Sequence, residues 1–249
     1  MSTYSIEKLY QLYKKHPIIC TDTRQIEPNS IFVALKGENF DANNFVNVAL
    51  EKGCAYAIVD NPSQSKDSRC ILVENSLQTL QALANFHRKQ LAIPIIGITG
   101  TNGKTTTKEL IRSVLSVKYK VYATEGNFNN HLGVPLTLLR IPLDAEMVIV
   151  EMGANHLGEI GELCAIAEPN YGLITNIGKA HLEGFGSFQG VIQTKTDLYR
   201  WIQKMDGLLF VNADNPILMQ YSAENKRILY GVNALNSNLK GTFQVSVWS

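Results

Sequence analysis

Glycine, lysine and threonine residues suited to binding a phosphate lie together in segment Gly97–Lys108, whose sequence is GITGTNGKTTTK. The apolar run Ile95–Ile98 predicts a buried β-strand, and Glu109–Leu115 predicts an amphipathic helix. In a glycine-rich turn between a strand and a helix, backbone N–H groups and the helix dipole attract an anion. Lys104 adds a positive charge, and the Thr105 hydroxyl stands where a phosphate-bound Mg²⁺ would sit. The pattern therefore predicts a site for a nucleoside triphosphate.

This segment differs from the strict phosphate-loop pattern at one position. The pattern places a glycine five residues before Gly103, where this chain has Ile98, flanked by Gly97 and Gly100. The alternative interpretation is a glycine-rich connection with an incidental Lys-Thr pair. The strand predicted before the segment and the helix predicted after it favour the phosphate loop.

The composition of the 249-residue chain, with 45% apolar and 18% charged residues, is that of a globular protein. Its 23 basic and 22 acidic side chains form no polybasic run, so no nucleic-acid partner is expected. No apolar stretch approaches the ~18 residues of a membrane span, and no secretion signal is recognisable, so no membrane insertion is expected. Four scattered cysteines predict reduced core residues (Cys20, Cys54, Cys70 and Cys164). We expect a cytoplasmic monomer.

The first of two predicted domains, residues 1–92, is a small α/β domain. Helices are predicted over Ile6–Tyr13 and Phe45–Lys52, and Ser76 is expected to cap a third helix that ends near Arg88. The predicted strands are Ile18–Cys20, Ile31–Ala34, Ala57–Val59 and Cys70–Val73. Leu91–Pro94 interrupts the helical pattern, which places the domain boundary there.

The second predicted domain, residues 93–249, alternates apolar strands with helices. That alternation is typical of a mainly parallel sheet covered by helices on both faces. The predicted strands are Ile95–Thr99, Lys120–Ala123, Met147–Glu151, Leu173–Thr175, Leu208–Val211 and Ile228–Tyr230. Polar clusters follow the first four of them, where the ligands of parallel sheets gather. These clusters predict one active site (Thr101–Thr105, Gly126–His131, Glu151–His156 and Thr175–His181).

Four features of these clusters are candidates for chemistry. Glu151 ends an apolar strand and could bind Mg²⁺ directly or through water, or it could simply mark the strand end. His181 follows another strand, and a structural role stays open for it. The asparagines of Gly126–Pro135 could donate to a phosphate or an oxyanion, or could form an ordinary turn. Lys195, in the predicted helix Phe188–Ile202, is an exposed helix lysine by its sequence alone.

Two loops of the first domain also follow predicted strands. Asp22-Thr-Arg24 comes after the strand that ends at Cys20, and Lys36–Asp41 comes after the strand that ends at Ala34. Together they could form an anion site. The alternative is that both are ordinary solvated loops.

Taken together, these segments resemble the Mur ligases, which build the peptide of bacterial cell-wall precursors. The resemblance covers essentially the whole chain and is greatest for the type that adds D-Ala-D-Ala. The phosphate loop is common to the family and to folylpolyglutamate synthases, whereas the Asn129-Asn130 pair and the Glu151–Ile160 segment are similar to that type alone. The segments that carry the resemblance are Asp22–Arg24, Ile31–Gly37, Thr99–Thr107, Gly126–Pro135, Glu151–Ile160 and Thr175–His181.

The resemblance implies an ATP-dependent carboxylate–amine ligase. The carboxylate of UDP-N-acetylmuramoyl-tripeptide would attack the γ-phosphate of ATP and give an acyl phosphate. The amine of D-Ala-D-Ala would then attack the acyl phosphate and displace phosphate. Such chemistry needs positioning and charge neutralisation but no side-chain nucleophile.

The resemblance also implies roles for individual residues. Lys104, Asn130, His181 and Lys195 are the implied catalytic residues, and Lys195 matches a lysine that family members carbamylate. ATP would be held by Gly100, Thr101, Asn102, Gly103, Lys104, Thr105 and Thr106. Magnesium would be bound by Thr105, Glu151 and His181. The UDP end of the substrate would be held by Thr23, Arg24, Lys36 and Asp41.

The family carries further segments for which the sequence up to Ser249 has no equivalents. These are a helix with an asparagine that contacts adenine, and a third domain that closes over the site. We therefore expect an incomplete central domain, no C-terminal ligase domain, and a fragment that does not turn over alone. Three alternatives stay open: a ligase that adds diaminopimelate or lysine, a nucleotide-binding module without ligase activity, and a UDP-substrate-binding fragment.

Replacing Lys104 by alanine is expected to abolish nucleotide-phosphate binding in this chain, or ligation in the complete enzyme. The expected loss of rate is about 10²–10³-fold or more, the scale for removing one preorganised charge-stabilising group. Steady-state kinetics of the variant measure it. ATP turnover close to normal would contradict the phosphate-loop assignment.

Overall fold

The structure is a computed structural model that describes residues 4–179, 182–233 and 237–241. Its contacts divide the chain into two compact units: Met1–Ala92 with Pro135–Ile141, and Ile93–Val134 with Pro142–Ser249. The sequence predicts residues 135–141 in the second domain, but their contacts group them with the first unit. One such contact is the hydrogen bond, 2.6 Å long, that the Tyr13 hydroxyl donates to the Leu139 carbonyl.

Within the described residues, the strands of the first unit are β1 Ile19–Cys20, β2 Ile31–Val33, β3 Lys36–Gly37, β4 Phe40–Asp41, β5 Tyr56–Val59 and β6 Cys70–Leu72. Its α-helices are α1 Ile6–Lys15, α2 Val46–Glu51 and α3 Ser76–Gln90. Four of the strands form a sheet in the order β1-β2-β5-β6, in which every neighbouring pair is parallel. The buried strands of this sheet and helix α2 form one apolar core around Phe32, Val46 and Ala57. Short 3₁₀ helices span Thr23–Gln25, Ala42–Phe45 and Pro62–Gln64.

Two local predictions for this unit were wrong. The N-cap of α3 is Asn75 rather than Ser76, because the extended backbone of Asn75 lets its side chain accept the Gln78 N–H at 2.9 Å. The segment Lys36–Asp41 is the antiparallel hairpin β3–β4 rather than a loop. Strands of two residues are too short to leave a periodic pattern in the sequence.

Within the described residues, the strands of the second unit are β7 Ile95–Thr99, β8 Val121–Ala123, β9 Met147–Glu151, β10 Tyr171–Ile174, β11 Leu208–Asn212, β12 Arg227–Gly231 and β13 Leu239–Lys240. They form one sheet in the order β13-β12-β11-β10-β7-β9-β8, with every neighbouring pair parallel. Its helices are α4 Lys104–Leu115, α6 Glu159–Ala167, α7 Leu182–Phe185, α8 Phe188–Lys204 and α9 Pro216–Tyr221. Helix α5, Gly133–Leu139, begins in this unit, and its residues from Pro135 onward group with the first unit. The predicted α/β class with a mainly parallel sheet is confirmed.

The strand order explains where a ligand can bind in this sheet. The first strand of the second unit, β7, lies between β9 and β10, so connections leave it toward both sides of the sheet. Every residue of β7 is buried, as expected for a parallel strand covered on both faces. Loops that diverge at such a point leave a crevice at the carboxyl ends of the strands.

The helix after β7 begins earlier than the sequence predicted. We expected it from Glu109, but α4 begins at Lys104. Gly103, at the N-cap, has a φ of +76°, a left-handed conformation that glycine adopts without strain. The turn between β7 and α4 is therefore only four residues long, Gly100–Gly103, and Lys104 and Thr105 belong to the first helical turn.

The structure also addresses two expectations from composition. No helix within the described residues is both long enough and apolar enough to cross a membrane. The four cysteines are free thiols; Cys20, Cys54 and Cys164 are buried and Cys70 is half-buried.

Candidate functional site

The turn between β7 and α4 is held against the loop that follows β10. Gly100 lies so close to this loop that a Cβ atom at this position would overlap Thr175 Oγ1. The Thr175 hydroxyl donates to the Asn102 carbonyl at 2.7 Å, and Asn176 Oδ1 accepts the Asn102 N–H at 3.0 Å. The predicted nucleotide-binding turn is thus fixed by contacts with a neighbouring strand end.

Two lysines from different helices meet at one carbonyl oxygen of this turn. Lys104 Nζ donates to the Gly100 oxygen at 2.9 Å, and Lys195 Nζ donates to the same oxygen at 3.1 Å. Lys195 is 3% exposed, so the possibility of an exposed helix lysine is wrong. A negatively charged group placed here would face two cations in a partly dehydrated environment, where charge interactions are stronger than in water.

Burial makes both ammonium groups less basic than usual. It lowers the pKa of Lys104, which the charge of Glu151 partly offsets. Burial, followed by repulsion from Lys104, lowers the pKa of Lys195 to about 8. A lysine in this state is neutral in a large fraction of molecules slightly above neutral pH, so its nitrogen can react as a nucleophile.

A carboxylate and a hydroxyl are paired on the other side of the turn. The Thr105 hydroxyl donates to Glu151 Oε2 at 3.0 Å, and Asn129 Nδ2 donates to Oε1 at 2.8 Å. Glu151 is 1% exposed, although it ends strand β9. Because the Thr105 proton points toward Glu151, the lone pairs of its oxygen are available to a cation.

This donor set fits Mg²⁺ bound together with a nucleotide. The described residues contain no group of three or more His, Cys, Asp or Glu side chains that could enclose a metal ion by themselves. Mg²⁺ commonly takes one or two protein oxygens and completes its coordination with phosphate oxygens and water. Glu151 and Thr105 meet that requirement. His181, the third predicted ligand, lies outside the described residues.

A cavity of about 380 Å³ opens beside the two lysines. Gly100, Thr101 and Lys104 line it, together with Lys195 and the loop residues Asn129 and Asn130. The other predicted nucleotide ligands complete the turn and the first turn of α4 without lining the cavity (Asn102, Gly103, Thr105 and Thr106).

The wall of this cavity that lies beside α6 is acidic. Glu159 and Glu162 both line it. Glu159 Oε2 accepts the N–H groups of Asn155 and His156 at 2.6 and 3.0 Å. Burial would raise the pKa of Glu159, but these hydrogen bonds outweigh it and lower that pKa. The cavity thus has a cationic side and an anionic side.

The two neighbouring asparagines have different partners. Asn130 Oδ1 accepts the N–H groups of Leu132 and Gly133 at 3.1 and 2.8 Å, which caps the start of α5. Asn129, rather than Asn130, donates to Glu151. The turn-forming role that the sequence left open is therefore present at Asn130, and its side chain also lines the cavity.

A second cavity, of about 540 Å³, lies within the first unit. Thr23 and Arg24 line it with Phe40 and Phe45, whose rings stack with centroids 5.4 Å apart. Arg24 is 87% exposed and pairs with Asp22 at 2.6 Å, and its hydrogen bonds lower the pKa of Asp22 to about 2. An exposed guanidinium beside an aromatic face suits a ligand that carries both a phosphate and a planar ring.

The other two predicted residues of this unit have different surroundings. Lys36 Nζ pairs with Asp60 at 2.9 Å, and Asp41 caps the following turn by accepting the Asn43 N–H at 2.9 Å. Neither residue lines the cavity that Arg24 lines. The structure therefore brings together only Thr23 and Arg24 of the four.

Comparison with known proteins identifies the lineage of this chain. Residues 98–247, more than half of the chain, match the model of the Mur ligase middle domain. The chain belongs to the Mur ligase family. Its second unit is thus a Mur ligase middle domain, with the cavity and the paired lysines at the carboxyl edge of its sheet.

Individual relatives support this assignment. The Bacillus subtilis UDP-N-acetylmuramoyl-tripeptide–D-alanyl-D-alanine ligase is 41% identical over 88% of this chain and 48% of its own length. A crystal structure of MurF from Acinetobacter baumannii is 34% identical with a TM-score of 0.81, covering 92% of this chain and 53% of that one. MurF from Thermotoga maritima in complex with ADP is 31% identical with a TM-score of 0.81, covering 87% and 51%. The chain spans about half the length of the relatives it matches.

Several residues that organise the site were not identified from the sequence. Asn129 contacts Glu151, Asn176 holds the Asn102 amide, and Lys108 is buried beside Glu151. A signal existed for Lys108, since it lies one helical turn after Lys104 on the same face. No sequence pattern distinguishes the contact of Asn129 from that of Asn130.

Proposed function

We propose that this protein is an ATP-dependent ligase that joins D-Ala-D-Ala to UDP-N-acetylmuramoyl-tripeptide. The observation that carries the proposal is the meeting of Lys104 and Lys195 at the Gly100 carbonyl, beside the Thr105–Glu151 pair, in a Mur ligase middle domain. The names of the relatives above, at 31–41% identity, support the choice of substrates.

The nucleotide would bind with its phosphates over the first turn of α4. The leading N–H groups of a helix have no intrahelical partner, and the helix dipole favours an anion there. Lys104 would turn from the Gly100 and Thr101 carbonyls toward the β- and γ-phosphates, since an anion is a stronger partner than a neutral carbonyl. The ADP complex of the Thermotoga relative supports a nucleotide site in this fold.

Thr105 and Glu151 would hold Mg²⁺ against the phosphates. Bound there, the ion would neutralise phosphate charge as the γ-phosphoryl group is transferred. Asn129 keeps one Glu151 oxygen in a fixed hydrogen bond, so the carboxylate would present a single orientation to the ion. His181 remains our proposed ligand of a second ion.

Two displacement steps would then build the peptide bond. A tripeptide carboxylate oxygen attacks the γ-phosphorus, the bond to the ADP oxygen breaks, and an acyl phosphate forms. The amine nitrogen of D-Ala-D-Ala attacks the acyl carbon and loses a proton, and inorganic phosphate leaves. Lys104 would stabilise the phosphate charge in both steps, and Asn130 would lie near the transferring group. Lys195 would act in the carbamylated form proposed below, through Mg²⁺. Glu159 and Glu162 suit the side from which an amine approaches.

The cavity of the first unit would hold the UDP end of the substrate. The Arg24 guanidinium would bind the diphosphate, and the stacked rings of Phe40 and Phe45 would contact the uracil ring. We keep Lys36 and Asp41 in the proposed set, with weaker support because each has an internal partner. The cytoplasmic location, the monomeric state and the inactivity of residues 1–249 alone stay predictions.

The reaction is tested on the product of the complete reading frame. It is incubated with UDP-N-acetylmuramoyl-tripeptide, ATP, Mg²⁺ and either D-Ala-D-Ala or diaminopimelate, and the products are identified by mass. We expect ligation of D-Ala-D-Ala with release of one phosphate for each peptide bond. Ligation of diaminopimelate instead, or nucleotide hydrolysis without any ligated product, would refute the proposed activity.

Replacing Arg24 by alanine is expected to weaken binding of the UDP-tripeptide by about tenfold or more, because a charge-assisted contact with phosphate is lost. Affinity for ADP is expected to stay unchanged. Isothermal titration calorimetry with each ligand measures both. Arg69→Ala is a matched control, since Arg69 pairs with Asp67 at 2.7 Å in the same i, i+2 arrangement but lines neither cavity described above. Equal losses for the two ligands would contradict separate sites.

We further propose that Lys195 carries a carbamate. Its amine, with a pKa of about 8, would form an N–C bond with CO₂ and release one proton. This reaction replaces a buried cation beside Lys104 with an anion, which removes the repulsion between the two lysines. The carbamate oxygens would also suit Mg²⁺, which an ammonium group does not bind.

The carbamate is measured by ¹³C NMR in ¹³C-bicarbonate. We expect a carbamate signal from the wild-type chain and from Lys204→Gln, which lies on the same helix α8, and none from Lys195→Gln. The signal should weaken as the pH falls below about 8, because the amine becomes protonated and only its neutral form reacts with CO₂. A wild-type spectrum without a carbamate signal at pH 8.5 would exclude the modification.

A further inference from the structure

Helix α4 carries a second lysine with a different environment from that of Lys104. Lys108 is 1% exposed, although it lies in the middle of a helix with one exposed face. Burying an ammonium group is strongly unfavourable unless nearby groups compensate its charge and satisfy its hydrogens. The partners of Lys108 therefore indicate why the chain has a cation at this position.

Lys108 contacts three elements of the second unit. Its Nζ donates to the carbonyl of Thr124, which follows β8, and pairs with Glu109 Oε1 at 3.1 Å. It also lies 4.0 Å from Oε2 of Glu151, at the end of β9. Thr124 completes the connection, because its hydroxyl oxygen accepts the Glu151 backbone N–H at 3.0 Å. The ammonium group thus bridges α4 to the ends of two neighbouring strands.

Glu151 has two kinds of partner, which differ in their distance from the carboxylate and in their charge. Thr105 and Asn129 occupy the two carboxylate oxygens with hydrogen bonds of 3.0 and 2.8 Å, and both are neutral donors. Lys108, at 4.0 Å, attracts the carboxylate without taking either of those bonds. Its positive charge offsets that of a 1%-exposed carboxylate and leaves the Thr105–Glu151 pair intact.

We propose that Lys108 is a positioning residue for Glu151. By neutralising and anchoring the buried carboxylate, it fixes the orientation in which Thr105 and Glu151 meet a nucleotide-bound divalent cation. Lys108 itself contacts neither nucleotide nor metal. This inference rests on the proposed function, since it requires a magnesium–nucleotide site at Thr105 and Glu151.

The test separates the magnesium-dependent part of nucleotide binding from the rest. The dissociation constant of ADP is measured by calorimetry, with Mg²⁺ and with EDTA, for the wild-type 249-residue chain, Lys108→Met and Arg112→Met. Arg112 is the matched control, because it is a cation on the same helix that also pairs with Glu109, at 3.6 Å, but is half-exposed and has no contact with Glu151 among those above.

In the wild type and Arg112→Met, we expect Mg²⁺ to tighten ADP binding by the same factor. In Lys108→Met, we expect this factor to fall by about 10- to 100-fold, the scale for losing a group that orients a metal ligand. The affinity in EDTA should stay within twofold of the wild type, because Lys104 and the α4 amides are unchanged. A purely structural role would lower both affinities together.

A second variant distinguishes the charge of Lys108 from its hydrogen bond. Lys108→Gln keeps a neutral donor for the Thr124 carbonyl. We expect the factor by which Mg²⁺ tightens ADP binding to fall in this variant as it does in Lys108→Met. If Mg²⁺ tightens ADP binding in both variants by the same factor as in the wild type, the proposal is overturned. Failure of both to fold, judged by circular dichroism, would assign Lys108 to folding and would also overturn it. Wild-type protein that binds no ADP would instead refute the proposed function.

Discussion

The close approach of Gly100 to the loop after β10 is the constraint on which the site depends. Thr175 Oγ1 occupies the space in which any other residue at position 100 would place its Cβ. The same hydroxyl donates to the Asn102 carbonyl, and Asn176 holds the Asn102 amide. With the turn fixed in this way, the Gly100 carbonyl points to the position where Lys104 and Lys195 both reach it.

The parallel sheet explains why groups so distant in sequence converge. Each functional segment follows a strand, and β9, β7 and β10 are adjacent in the sheet. Glu151 therefore comes within hydrogen-bonding distance of Thr105, and Thr175 within that of Asn102. Helix α8 adds Lys195, 95 residues along the chain from Gly100. The order of the strands brings these residues together, and local hydrogen bonds orient their side chains.

The sequence predicted the features that depend on strong local patterns. The apolar run Ile95–Ile98 and the following Thr99 form β7 with the predicted limits, and Met147–Glu151, apolar up to its last residue, forms β9 in the same way. Both strands are central in the sheet, where burial on two faces requires continuous apolar residues. Because strands and helices alternate along the chain, the sequence also predicted that Thr105 and Glu151 lie at the same edge of the sheet.

The sequence could not predict features decided by tertiary contacts. Lys195 has the pattern of a surface lysine, but it is buried in the structure, where α8 packs against α6 and against the sheet. Asn129 and Asn130 are identical in type and adjacent, so their different partners depend on the path of the loop. The hairpin β3–β4 is stabilised by pairing between two very short strands, which leaves no period in the sequence.

The shared carbonyl of Gly100 makes the two lysines one energetic unit. Burial is the main cause of the weak basicity of Lys195 and the charge on Lys104 is the second, so a change at Lys104 alters the ionisation of Lys195. Their free-energy contributions are therefore non-additive, as for any residues in direct electrostatic contact. The effect measured on removing Lys104 would combine the loss of its proposed phosphate contact with a more basic Lys195. A double-mutant cycle over the two positions gives the coupling energy between Lys104 and Lys195.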